Sequence, residues 1–81
     1  MIEKIYNEIE ALILLLREKG EQSLANVIDH RMYKVSWTTS SELLECIGKL
    51  LKEELEVRGA EMDELVAKKV RDVLSMIAME A

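Results

Sequence analysis

Ile2, Ile5, Ile9, Leu12, Ile13 and Leu16 recur at steps of three and four residues, and three later stretches repeat that rhythm. Such steps bring apolar side chains onto one stripe of an α-helix, and the stripe must be covered. Little interrupts helices from within. Proline is absent, and two of the three glycines, Gly20 and Gly59, fall where a stripe ends. Proline and glycine are the strongest helix breakers, so their scarcity favours long helices. The spacing predicts helices over 2–19, 21–32, 40–58 and 61–79. Short links between them make an all-α fold, a compact four-helix bundle or a squatter orthogonal arrangement of the same helices.

Leu14 and Leu15 widen the first stripe beyond one face, so that helix expects cover on more than one side. Leu24, Val27, Ile28 and Met32 form the second stripe. Leu43, Leu44, Ile47, Leu50, Leu51 and Leu55 form the third. Met62, Val66, Val70, Val73 and Ile77, with Leu65 and Leu74 beside them, form the fourth. Gly20 and Gly59 stand at C-cap positions. Gly48 lies inside the third helix, where it costs up to ~1 kcal/mol relative to Ala and permits close helix approach. Thr39-Ser40-Ser41-Glu42 matches the S/T-x-x-E capping box that opens a helix. Acids at the start of the fourth helix, with Lys68, Lys69 and Arg71 after them, suit the helix dipole. Tyr33, Val35 and Trp37 alternate like a strand, but three residues make no sheet alone, and the stretch reads as a connecting loop.

Eighty-one residues make one domain, 1–81. Residues are 49% hydrophobic and 33% charged, which marks a globular chain rather than a disordered one. A formal net charge of −5 argues against nucleic acid and anionic membranes as partners. One cysteine forms no internal disulfide, which points to a reducing, cytoplasmic setting. The opening MIEKIYNEIE lacks the charge pattern of a secretory signal. The longest apolar run, Ala11–Leu16, is far shorter than the ~20 residues of a membrane span.

Chemistry-bearing residues are sparse. One His and one Cys supply no metal-ligand spacing, so no metal or cofactor is expected. His30 reads as a surface residue. Cys46 reads as a small buried hydrophobe beside Glu42 and Glu45, an electronegative setting that disfavours a thiolate. The hydroxyl run Thr38–Ser41 is accounted for by capping, and no nucleophile, base and orienting group come together, so the chain does not read as an enzyme. Met62, Met76 and Met79, at helical spacing, read as core. Trp37 is either core or interface anchor, and Tyr33 fits either role. Charge is the most informative feature. Over residues 53–64, Glu53, Glu54, Glu56, Glu61, Asp63 and Glu64 stand against Arg58 alone, a balance of −5 equal to that of the whole chain. These acids surround the last turn and offer a surface for a basic partner.

Residues 29–52, DHRMYKVSWTTSSELLECIGKLLK, resemble small bacterial proteins of the immunity type found in toxin–immunity pairs, including those of contact-dependent inhibition. The shared features are the basic-aromatic connector, the SWTTSSELLE helix start and the amphipathic helix after it. The resemblance implies a cytosolic inhibitor of a cognate toxin, often a nuclease, and supplies no catalytic motif. A basic toxin is then the expected partner. Glu53, Glu54, Glu56, Glu61, Asp63 and Glu64 are the candidate protein-binding residues, with Tyr33 and Trp37 as secondary ones. The alternative is a helical adaptor or self-associating module, and the apolar excess of ALILLL leaves a homodimer open.

Overall fold

The structure, a computed structural model, describes residues 2–33 and 40–80. The connector reading, the placement of Trp37 and the Thr39 half of the capping box lie outside the described residues. Four helices account for the architecture: α1 (Ile2–Glu18), α2 (Gln22–Tyr33), α3 (Ser40–Arg58) and α4 (Glu64–Glu80). The expected all-α four-helix bundle is therefore the fold.

The helices stand in a ring. Each contacts its neighbours in sequence, α4 closes on α1, and the diagonal pairs make no Cα approach within 8 Å. Polar contacts fix the directions. Arg17 reaches Gln22 and Asn26 while Glu10 meets Tyr33. Glu21 meets Arg58 while Arg31 meets Cys46. Lys19 meets Asp63 while Glu8 meets Lys69. In each pair of helices, numbers rise along one as they fall along the other, so these neighbours are antiparallel. This decides between the two arrangements that periodicity left open. The radius of gyration, 11.7 Å, equals the value of about 12 Å expected for a compact domain of this length.

The core follows the stripes. Ile5, Ile9, Leu12 and Leu16 meet Ile28, Ile47 and Leu51, with Val66, Val70 and Val73 from α4, all fully buried. No polar or charged residue is buried among the described residues. Leu14 departs from its stripe. At ~100° per residue it is turned about 200° from Leu12 and from Leu16, and it is 65% exposed. Leu65, one step from Val66, is also exposed. Met62 is buried and Met76 packs against the core, but Met79 is 86% exposed and does not belong to it.

The two turns differ. Gly20 has φ of 80°. The Glu21 amide donates to the Leu16 carbonyl at 2.8 Å and the Gly20 amide to Arg17 at 3.3 Å, a Schellman cap that satisfies the last carbonyls of α1. Gly59 has no positive φ. Its requirement is steric, since a Cβ there would overlap the Leu55 carbonyl oxygen. Helix α4 starts at Glu64 rather than near residue 61. Asp63 caps it, accepting from the Leu65 amide at 2.9 Å. Met62, just before the cap, is buried outside the helix together with Ala67, in the position of a hydrophobic staple. Lys68, Lys69 and Arg71 lie mid-helix, and the last turn of α4 carries no base.

Candidate functional site

The bundle brings both turns to one end. Arg58, closing α3, lies 2.9 Å from Glu21 at the start of α2, and Lys19 lies 3.7 Å from Asp63. The acids of 53–64 therefore share this end with Glu18 and Glu21. Counting residues 17–21 and 53–64, eight acids face Arg17, Lys19 and Arg58, which again leaves −5. The contribution of the first turn, Glu18 and Glu21, is not visible in the sequence. These acids are adjacent to the others only because antiparallel helices return the chain to the same end.

The six expected acids are not equivalent. Glu54 pairs with Arg58, at 3.1 Å from its Nε, one helical turn away. That Nε is buried and the pair lacks hydrogen-bond alignment, so it is an ionic contact only. Asp63 serves as helix cap and as partner to Lys19. Both are engaged in holding the turn. Glu53, Glu56, Glu61 and Glu64 are exposed. None of these four has an ion-pair partner within 4 Å among the described residues. The hydrogen bond from Arg58 to Glu21 is the main reason its guanidinium pKa is raised, with the charges of Glu21, Glu54 and Glu61 adding to it.

Tyr33 stands apart from this end. It is 54% exposed, and its hydroxyl donates to the Glu10 carboxylate, joining the end of α2 to α1. That bond, then burial, then the charges of Glu10 and Asp29 push the phenol up to about 12. The Tyr33 ring is thus available on the surface, while its hydroxyl is already held. Trp37, the other secondary candidate, lies outside the described residues.

Cys46 is half-buried rather than buried, and Arg31 Nη1 approaches its sulfur at 3.0 Å. The setting is not purely electronegative, as Glu42 and Glu45 alone suggest. Across a separation of 15 residues, this pair has no periodic signal in the sequence. His30 is exposed. Among the described residues, no three His, Cys, Asp or Glu side chains are grouped to hold a metal ion, and no helix is long and apolar enough to cross a membrane.

Two grooves mark the helix seams. One, of about 750 Å³, runs between α3 and α4 over Leu44, Gly48 and Ile77. The other, of about 480 Å³, lies between α1 and α4 beside Leu14 and Leu65. No family model, no curated protein and no solved structure matches this chain.

Proposed function

We propose that this chain is a non-enzymatic protein-binding inhibitor whose acidic end docks on a basic protein. In its specific form the proposal is a cytosolic immunity protein that neutralises a cognate bacterial toxin. The observation that supports it is the joining of two turns into one end with a balance of −5, while the remaining residues balance to zero. A nuclease holds a polyanion and so presents a basic cleft. A rigid acidic end complements that cleft, speeds encounter and excludes the substrate. Glu53, Glu56, Glu61 and Glu64 are the residues assigned to the partner. Glu54 and Asp63 keep the turn in shape.

The test is a pull-down from extracts of the host organism at low and moderate salt. Wild-type bait is compared with a quadruple variant carrying Lys at Glu53, Glu56, Glu61 and Glu64. The expected result is one basic protein retained by wild type, lost from the variant, and toxic when expressed alone. Equal retention by both baits refutes the acidic end. Recovery of the chain alone refutes the inhibitor reading.

A further inference from the structure

Among the described residues, large apolar side chains exposed on the surface include Val27, Tyr33, Val57 and Met79, and two more, Leu14 and Leu65, share a groove. They line the depression between α1 and α4 and are 65% and 58% exposed. Glu18, Asp72, Lys68 and Lys69 complete its border. Leu14 and Leu65 are 51 residues apart in the chain (65 − 14), so folding itself assembles this apolar patch.

We propose that the α1–α4 face is a homodimer interface and that its occupant is a second copy of this chain. The charge pattern selects that occupant. Two acids and two bases border the groove, so its border is neutral although the chain carries −5. A partner of one charge sign meets like charge on part of such a border. A second copy, related by a two-fold axis, presents both signs in return, and Glu18 of one copy comes opposite Lys68 of the other. Lys69 is already paired with Glu8, whereas Lys68 has no ion-pair partner within 4 Å among the described residues. Area permits the contact. The chain exposes 5331 Å², and an even share among four bundle faces and two ends is roughly 900 Å², close to the ~800 Å² per partner of a standard interface. Glu18 borders both surfaces, so separation from the acidic-end reading is carried by Leu14→Glu and Leu65→Glu, which replace none of the acids assigned to the basic partner.

Sedimentation equilibrium of the full chain, from low micromolar to millimolar concentration, tests it. Wild type is expected to dimerise. Leu14→Glu is expected to raise the dissociation constant at least about tenfold with helicity unchanged by circular dichroism. Val57→Glu, at a site 82% exposed, is expected to leave it unchanged. Glu18→Lys should weaken the dimer, and adding Lys68→Glu should restore it. A monomer throughout the range overturns the proposal. So does a dimer that ignores both Leu14→Glu and Leu65→Glu.

Discussion

The Arg58 guanidinium lies 2.9 Å from the Glu21 carboxylate, so the last turn of α3 is fastened to the first turn of α2. Its other ionic contact, at 3.1 Å, is Glu54. One base thus holds two acids at an end of the molecule where acids are in excess.

Replacing Arg58 with Gln should therefore do more than remove a surface ion pair. An exposed pair contributes about 0.2–1 kcal/mol, and the variant also leaves Glu21, Glu54 and Glu61 to repel one another. Urea unfolding at two salt concentrations measures this. The variant should be less stable at low salt by up to about 1 kcal/mol, and salt should recover part of the loss by screening. A loss that grows with salt would contradict the account.

Tyr33 gives a pH dependence of definite sign. Glu10 favours the neutral phenol and raises its pKa to about 12 in the fold, against about 10 in an unfolded chain. The stability from this contact is complete below pH ~10 and is lost as pH rises through about 12. Tyrosinate absorbance of wild type should contain a component near 12 that Tyr33→Phe removes. Glu10→Gln should move it downward. A midpoint unmoved in Glu10→Gln would mean that the hydroxyl is not bonded there.

The glycines should respond in opposite directions. A Cβ at Gly48 would stand 3.6 Å from Ile77 Cγ2, an ordinary contact. Gly48→Ala should then stabilise α3 by about 0.5–1 kcal/mol. Gly59→Ala drives a methyl group into the Leu55 carbonyl and should destabilise by more than about 1 kcal/mol. Gly20→Ala meets no neighbour within 4 Å but must adopt φ of 80°, and should also destabilise, by about 1 kcal/mol. Thermal unfolding of the three variants provides the comparison.

Core and surface positions on α3 should separate cleanly. Ile47 is fully buried and Val57 is 82% exposed. Ile47→Ala should cost about 2–5 kcal/mol through lost burial and a residual cavity. Val57→Ala should be neutral or slightly stabilising, because Ala is the better helix former. Against a total stability of about 5–15 kcal/mol, the first loss is large enough to see as a marked fall in denaturation midpoint.

Local features of this fold were legible in the sequence. Periodicity placed α1, α2 and α3 to within a residue at most ends, and Gly20 was recognisable as a left-handed cap. The start of α4 was missed because Glu61 and Met62 continue the helical rhythm. Asp63 directly before Glu64 was the available signal, since a side-chain carboxylate satisfies free amides at a helix start. The partners across helices were not legible. Glu21 with Arg58, Lys19 with Asp63 and Arg31 with Cys46 depend on the order of helices around the ring, which a stripe does not encode. For the same reason, six acids of the acidic end are visible as a run of charge, whereas the membership of Glu18 and Glu21 is not. Division of labour among the acids, with Glu54 and Asp63 held and Glu53, Glu56, Glu61 and Glu64 exposed, depends on packing that a run of charge does not encode.

The closed ring also leads to an expected order of assembly. Arg31 and Cys46 are separated by 15 residues, whereas Lys69 reaches back to Glu8 across 61. Chain-closure entropy grows only with the logarithm of that separation, so the wider seam costs about 1.2 kcal/mol more to close. Two helical hairpins can thus form locally before α4 returns to α1. The α1–α4 seam is then expected to form late, so that weakening Glu8 or Lys69 should speed unfolding far more than it slows folding.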